Sequence, residues 1–305
     1  MSKLNGRLRG INLGELMLTL PSLGWLMVFF ILPSLIIFAI AFRTADAYGG
    51  IGDSWTLETI LRLVNPNYPG IIWRTIWLSV SNTVICLAVS IPVAYYLARM
   101  DRRWRQWAML LVVVPFWTNF LVRVFAWKTL LHTDGTLRHF LVWTGILGAD
   151  QPLLYNSGSI LLVLVYTYLP FAILPLYAAA EKFDFNLLEA ARDLGASSPH
   201  AFFSVFMPGI SRGIVTASIM VLVPSLGSYV IPEMLGGVDS DMLGNKIAQY
   251  VYTERNLPRA SALAAVLILT VLIPLLGMMY INNRRQTRDR KEITDTLSHH
   301  TGIRA

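Results

Sequence analysis

Few residues in this chain are equipped for chemistry, and most of those lie inside long apolar runs. Glu233 is the only carboxylate within those runs. An ionisable group at membrane depth is costly, so it is read as functional unless a partner explains it. Ser225, Tyr229 and Glu233 are spaced i, i+4, i+8, which aligns them on one helical face if Pro232 does not end the helix first. Trp117, Asn119, Tyr166 and Tyr168 stand in two further runs. Aromatic faces with a few oxygen acceptors suit a weak, transient site for an organic cation. The other reading of Glu233 places it at the outer interface, capping a helix or pairing with a base. Arg123 shares a face with Asn119, four residues earlier. A fixed positive charge would repel a cation, so Arg123 is expected to pair with an acid or to bind carbonyls between helices. It is also the best argument for an anionic solute. Lys128 is close enough to a span end to snorkel. The stripe Ser79, Thr83, Cys86, Ser90 is read as helix packing in preference to a pore wall.

Other chemistries are missing from the sequence. It contains no Gly-x-x-x-x-Gly-Lys-Ser/Thr loop, and indeed no Gly-Lys pair, so no triphosphate can be cradled in that manner. There is no His-Glu-x-x-His and no Gly-x-Ser-x-Gly, and His299–His300 lies in a polar tail. Gly49–Gly50–Ile51–Gly52 lacks a strand–helix context and reads as a loop. Cys86 is the only cysteine, which excludes an intramolecular disulfide and a cysteine-based metal site. A self-sufficient pump or an intramembrane enzyme is poorly supported, and no catalytic residue, metal or cofactor is expected.

The elements that must hold these residues follow from composition. Of 305 residues, 55% are hydrophobic and 14% charged, whereas a soluble domain carries about 25% charge. Lipid is therefore the expected solvent. Apolar runs near 16–42, 71–98, 107–131, 159–180, 213–235 and 260–281 predict six spans, each near the roughly 20 helical residues a bilayer requires. The runs do not alternate, which argues against strands. Pro21, Pro33, Pro92, Pro115, Pro170, Pro175, Pro224 and Pro274 fall inside them, and a membrane bundle tolerates such kinks. The first run has a basic start and Ala45–Asp46–Ala47 behind it. It is too long for a signal peptide and reads as an uncleaved anchor.

The formal charge is +7, and its placement gives an orientation. Segments 1–15, 99–106, 181–212 and 282–305 carry 16 Lys and Arg, against 7 in segments 43–74, 132–158 and 236–259. The positive-inside rule puts the first group, and with it both termini, in the cytoplasm. Membrane orientation thus accounts for the charge, and nucleic acid is not an expected partner. The chain divides into a cytoplasmic segment 1–15, a permeation domain 16–281 and a basic cytoplasmic tail 282–305. Segment 181–212 has no basic excess, since Glu181, Asp184, Glu189 and Asp193 outnumber its three bases. It therefore serves something besides topology.

That segment has its own pattern. Leu187, Ala190, Ala191 and Leu194 recur at helical spacing, predicting a short amphipathic helix over 185–194. Gly195 suits a left-handed C-cap. Ser197 or Ser198 can cap a second helix with Pro199 in its first turn. Phe202, Phe203 and Phe206 would pack that helix, and Pro208 would break the chain before the fifth span. On these grounds the segment is either a helix–turn–helix projecting from the membrane or an ordinary folded loop.

Glu189-Ala190-Ala191, then Gly195, then Val205, Met207 and Pro208 stand at the spacing Glu-Ala-Ala, three residues, Gly, nine residues, Ile-x-Leu-Pro. In this the chain resembles the permease subunits of binding-protein-dependent ABC importers, with Val for Ile and Met for Leu. The stretches Pro115–Asn119, Leu187–Ala196 and Val230–Gly237 resemble more narrowly the first permease subunit of spermidine/putrescine importers. Importers of iron, thiamine or phosphonates share much of that architecture and remain alternatives, as does a membrane receptor or enzyme without an ATPase partner.

The resemblance implies an all-α, six-span, multi-pass protein of the bacterial inner membrane with the type I importer permease fold, its family core at about 71–281. It implies that segment 181–208, through Glu189, Ala190, Ala191, Gly195, Val205, Met207 and Pro208, docks into an ATPase subunit. ATP would be hydrolysed by a separate homodimer of such subunits. One docking segment per chain implies a second permease subunit, giving a heterodimer surrounded by lipid. A periplasmic binding protein would deliver the solute. For a polyamine, Trp117, Asn119, Tyr166, Tyr168, Ser225, Tyr229 and Glu233 are the candidate path residues.

Overall fold

The computed structural model describes residues 13–46, 50–64, 67–145, 148, 151–237, 239–273 and 276–277. They fall into two units. One comprises the described residues up to Val64 with Gln249–Ala265, and the other those up to Ala248 and from Val266 onward.

The first unit begins with a long apolar helix built from α1 (Leu13–Leu26), a π-helical turn (Met27–Ile31) and α2 (Leu32–Ala41). The wide turn has a local cause. The Leu32 N–H reaches back to the Met27 carbonyl, and Pro33, which has no N–H to offer, follows at once. No residue from Thr19 to Ile40 is buried, Ala41 at the end being the first that is. A helix that is apolar all round and faces outward is one whose solvent is lipid.

Behind it lies an antiparallel hairpin of β1 (Arg43–Ala45) and β2 (Ile51–Trp55), followed by the short α3 (Glu58–Leu61). This corrects one expectation, since Ile51–Gly52, read as a loop, is strand, while the chain remains all-α in class. Cross-strand pairs explain it. The Arg43 guanidinium lies 4.6 Å over the Trp55 ring and donates to the Asp53 carbonyl at 2.6 Å, while Thr44 and Ser54 hydroxyls meet at 2.9 Å. Gly49 lies outside the described residues.

The second unit is helical. α4 (Asn67–Arg99) is the longest element at 33 residues, about 50 Å. α5 (Arg102–Val113), α6 (Phe120–Leu131) and α7 (Thr136–Trp143) follow. α8 (Ser157–Glu181) opens on a reciprocal cap. The Ser159 N–H donates to the Asn156 side chain at 2.9 Å and the Asn156 N–H to the Ser159 hydroxyl at 3.4 Å. Next come α9 (Asn186–Asp193), α10 (Ser198–Ala201), α11 (Met207–Gly209), α12 (Ser211–Leu226) and α13 (Val230–Leu235). The last two described helices, α14 (Leu243–Tyr252) and α15 (Leu257–Ile273), are divided between the units, since their residues within Gln249–Ala265 belong to the first.

Helices α4, α8 and α12 pack on one another and form the core of this unit. Their shared faces are small. α4 contributes Ser79, Cys86, Ser90 and Ala94, α8 contributes Ala172 and Ala180, and α12 contributes Gly213, Ala217 and Ser218, all buried. The Ser79–Ser90 stripe is therefore packing, as its composition suggested. At Gly213 a methyl group would lie 2.5 Å from Cβ of Ala179 and 3.2 Å from the Pro175 carbonyl, so only glycine admits this approach of α12 to α8.

Not all expected spans are continuous helices. Three are, at Thr19–Ala41, Tyr68–Arg99 and Ser157–Glu181. The expected span 107–131 is two helices, and the arm Arg102–Trp117 meets the arm Phe120–Trp143 at 92°. Pro115 sits in a 3-10 turn over Val114–Trp117, Thr118 is extended and Asn119 restarts the helix as its N-cap. The expected span 213–235 ends at Leu226 and resumes as α13. Of the expected span 260–281, α15 covers the part up to Ile273, and residues 274–275 and 278–281 lie outside the described set.

The Gly213 contact generates a direct test. Gly213→Leu forces about 1–3 kcal/mol of overpacking into the α8–α12 seam, whereas Gly24→Leu adds the same side chain where nothing lies within 4 Å. The thermal midpoint of the detergent-solubilised protein should fall for Gly213→Leu and hold for Gly24→Leu. Equal midpoints would contradict the seam.

Candidate coupling segment and solute path

The segment 186–209 is built from short pieces, each with a visible stop or start. The Asp184 carboxylate accepts the Asn186 N–H at 3.1 Å and starts α9. Gly195 ends it with φ +91°. The Gly195 N–H donates to the Arg192 carbonyl at 2.8 Å and the Ala196 N–H to the Ala191 carbonyl at 3.0 Å. This is the paired closure for which a left-handed glycine is suited. Ser197 then stands at the cap position of α10 with Pro199 in the first turn, although its side chain makes no capping bond.

The chain does not break at Pro208. A π-helical turn over Phe202–Phe206 precedes it, with the Met207 N–H donating to the Phe202 carbonyl, so helix continues to Gly209. The turn occurs at Ile210, and the arms Ser198–Gly209 and Ser211–Leu226 meet at 72°. The proline is absorbed by widening the turn before it, as at Pro33.

The buried face of α9 differs from the expected stripe. Leu188 is buried and Ala191 half-buried in the core cluster, whereas Leu187, Ala190 and Leu194 face outward. Leu194 is 90% exposed, beside the exposed Glu189 face. In the second half Phe206 is fully buried, Phe202, Val205 and Met207 are half-buried, and Phe203 points out. The segment thus seats one face on the bundle and leaves apolar side chains open on the other.

The seat is aromatic. Tyr95 of α4 meets Phe185, Phe202 and Phe206 edge-on, with centroids 5.9, 5.4 and 5.0 Å away. Phe183 meets Phe185 at 5.4 Å and Phe206 at 5.2 Å. Arg99, one turn on from Tyr95, donates to its hydroxyl at 2.6 Å and lies 5.5 Å over its ring and 5.7 Å over that of Phe185. From sequence Arg99 counts only toward topology, and Tyr95 is not singled out. Their i, i+4 spacing facing a phenylalanine-rich stretch was the available signal. Nearby, Arg105 of α5 pairs with Glu181 at the end of α8 at 3.5 Å.

The seven candidate path residues are not gathered into one cluster. Ser225 is buried and accepts from Asn82 of α4 at 3.2 Å. Asn82 itself is buried, and the sequence reading missed it, although an amide inside an apolar run was signal enough. Ser225 does not share a face with Tyr229 and Glu233. The helix stops at Leu226 with Gly227 as its C-cap, well before Pro232, and Glu233 restarts exposed on α13. Tyr229 is half exposed at the cap of α13. Tyr168 donates its hydroxyl to the Pro224 carbonyl at 3.2 Å, and Tyr166 packs edge-on to Trp127 at 5.2 Å. Trp117 is 77% exposed at the bend between α5 and α6. Asn119 accepts the Leu121 N–H at 2.8 Å, so its oxygen is engaged in capping.

Arg123 has no acid among its described contacts. Its guanidinium lies 5.6 Å over the Phe116 ring, across the bend, and its buried Nε has no hydrogen-bond partner. The expectation of an acid or carbonyl partner is replaced by a cation–π contact, which needs no second charge in an apolar setting. Among the described residues no group of His, Cys, Asp and Glu is placed to hold a metal ion.

Comparison with known proteins agrees with this architecture. The chain is 36% identical over 269 residues to the spermidine/putrescine transport system permease protein PotB of Haemophilus influenzae, covering 88% of this chain and 93% of that one. Against the protein of the same name from Escherichia coli the identity is 32%, covering 88% and 98%. Its backbone resembles a solved bacterial ABC transporter involved in import of the acidic polysaccharide alginate, with a TM-score of 0.67 over 89% of this chain and 95% of that one, at 18% identity. Residues 90–288, which contain the 186–209 segment and the α4–α8–α12 core from Ser90 onward, match the family described as binding-protein-dependent transport system inner membrane component. The chain belongs to that family, as an inner-membrane permease subunit of an ABC transporter.

Proposed function

We propose that this protein is a permease subunit of an ATP-driven importer for polyamines of the spermidine/putrescine type. The observation that carries the reading is the identity, over nearly the full length of both relatives, with the PotB permeases of Haemophilus influenzae and Escherichia coli. A separate ATPase homodimer hydrolyses ATP on the cytoplasmic face, a second permease subunit completes the pathway as a heterodimer, and a periplasmic binding protein delivers the solute. The chain crosses the membrane six times with both termini cytoplasmic.

Segment 181–208 is the docking element for the ATPase. In support, Leu187, Leu194 and Phe203 stand open on a segment whose other face is firmly packed. An exposed apolar patch on a short helical projection is suited to a partner's groove. Glu189, Ala190, Ala191 and Gly195 shape that projection, and Val205, Met207 and Pro208 return the chain to α12.

A polyamine meets aromatic faces and one carboxylate on its way. Trp117, Tyr229 and Glu233 are exposed on the isolated chain and available to it. Asn119, Tyr166, Tyr168 and Ser225 hold the surrounding helices through the bonds and ring contacts described above. Arg123 is held over Phe116, so its position is fixed by an aromatic face.

Three outcomes check this. Reporter fusions after Arg105 and Pro208 should read as cytoplasmic and a fusion near Gly52 as periplasmic; a cytoplasmic reading at Gly52 would sink the six-span topology. Gly195→Val places a β-branched side chain at φ +91°, where left-handed backbone costs about 1–2 kcal/mol, while Gly195→Asn is better tolerated there. Uptake by the reconstituted transporter should drop for Gly195→Val and largely persist for Gly195→Asn, with membrane insertion normal for both. Parental uptake by Gly195→Val would remove the segment from coupling.

For cargo, Glu233→Gln removes charge and keeps shape. A contact at about 4 Å is worth roughly 4 kcal/mol at an effective dielectric near 20 before desolvation. A net effect on the order of 1 kcal/mol, several-fold in initial spermidine uptake, is expected. Unchanged uptake in an intact complex would take Glu233 out of the path.

A further inference from the structure

Segment 186–209 reaches the three core helices in two different ways. α8 runs into α9 through residues 182–185, and α11 runs into α12 through Ile210, so any displacement of the segment pulls on these helices directly through the chain. α4 has no such link, since about ninety residues of sequence separate Tyr95 from Asn186. Yet α4 carries the buried polar face that meets α12, with Asn82 donating to Ser225. If the segment moves the core as a unit, α4 must be gripped by side chains.

The grip is the ring cluster. Beyond its own helix Tyr95 makes three edge-on contacts, with Phe185 just ahead of α9 and with Phe202 and Phe206 in the π-helical turn. It therefore touches the residue that leads into α9 and the second half of the segment at once. Arg99 braces the ring from the same helix, through its bond to the hydroxyl and by lying over Tyr95 and Phe185. Phe206 is fully buried at the centre. Interlocked rings resist sliding because each edge fills the space beside a neighbour's face, and packed interiors shift between discrete arrangements in preference to deforming.

We propose that Tyr95 is a positioning residue for transport, the joint through which displacement of the ATPase-docking segment is passed to α4. The proposal rests on the coupling role given to segment 181–208 above. Loss of the ring should uncouple: the ATPase still docks and still hydrolyses ATP, because the open face with Leu194 is untouched, but α4 no longer follows.

The test uses the full transporter, with ATPase, both permeases and binding protein, in proteoliposomes, reading radiolabelled spermidine taken up per ATP hydrolysed. Tyr95→Leu should lower that ratio by about three- to tenfold, with the parental amount of ATPase copurifying. Tyr95→Phe keeps the ring contacts and should stay within about twofold of the parent. Phe202→Leu, on the segment side, should lower the ratio similarly. The double variant should be little worse than either single one, as expected for two parts of one contact. A parental ratio for Tyr95→Leu overturns the proposal. If Tyr95→Leu does not assemble, a parental ratio for Phe202→Leu overturns it equally. The parental complex is the separate control. Absence of the ATPase from it, or of spermidine uptake by it, would bring down the functional reading itself and not the joint.

Discussion

The close approach of α4, α8 and α12 is the constraint on which the rest depends. In lipid there is no hydrophobic force to draw helices together, because acyl chains are as apolar as leucine. What remains is contact, and contact needs small residues. Gly213 against Ala179 sets the distance between α12 and α8. Cys86, Ser90 and Ala94 do the same on α4. Once the backbones are this close, a single polar pair, Asn82 with Ser225, can be satisfied between α4 and α12 at full burial. An amide at that depth also helps fix the relative register of the helices, since sliding either would leave it unpaired.

The same solvent explains how the prolines are handled. An unsatisfied backbone group in hydrocarbon costs several kcal/mol, so a proline must be accommodated with little loss. Two solutions are visible. Pro33 and Pro208 each follow a π-helical turn that shifts the bonding pattern by one residue. Pro115 lies where the helix ends anyway, with Asn119 restarting it. The Tyr168 hydroxyl of α8 donates to the Pro224 carbonyl, which serves the end of α12 and not the carbonyl one turn earlier that the missing N–H of Pro224 leaves free. Two of these sites lie next to large changes of direction, 92° after Pro115 and 72° after Pro208.

What was legible in the sequence was whatever depended on local pattern. The apolar runs located the helices because lipid demands length. The Gly195 stop was readable because few residues other than glycine enter its conformation easily. The Ser79–Ser90 stripe was readable because small residues on one face have one common use. What was not legible depended on partners distant in sequence. The stripe Leu187, Ala190, Ala191, Leu194 looked like a buried face, yet Leu188 and Ala191 are the residues turned inward, because the ring cluster below fixes the helix rotation. The Ser225–Tyr229–Glu233 alignment assumed that helix continues to Pro232, whereas it stops at Gly227. The hairpin after the first helix was hidden because its three- and five-residue strands are held by cross-strand pairs with little periodicity of their own.

The two ends of the core are fastened by different chemistry. At one end the fastening is hydrogen-bonded. The Leu243 N–H donates to the Thr75 hydroxyl at 2.9 Å, Arg74 to the Asp241 carbonyl at 3.3 Å, and the Ser159 hydroxyl to the Leu235 carbonyl at 3.0 Å. These bonds are directional and tie chain segments to particular positions on α4 and α8. At the other end α4 is held by rings around Tyr95, and ring contacts keep their attraction over a wider range of angles. A directional bond suits a place that must be held in one geometry. An aromatic joint suits a place that must turn while staying in contact. Tyr95 and Asn82 lie on the same continuous helix, so the aromatic contacts and the buried amide hold one element at two levels. Between the two, Cys86 of α4 donates to the Val165 carbonyl of α8 at 3.8 Å, so the helix is tied to both neighbours along the way.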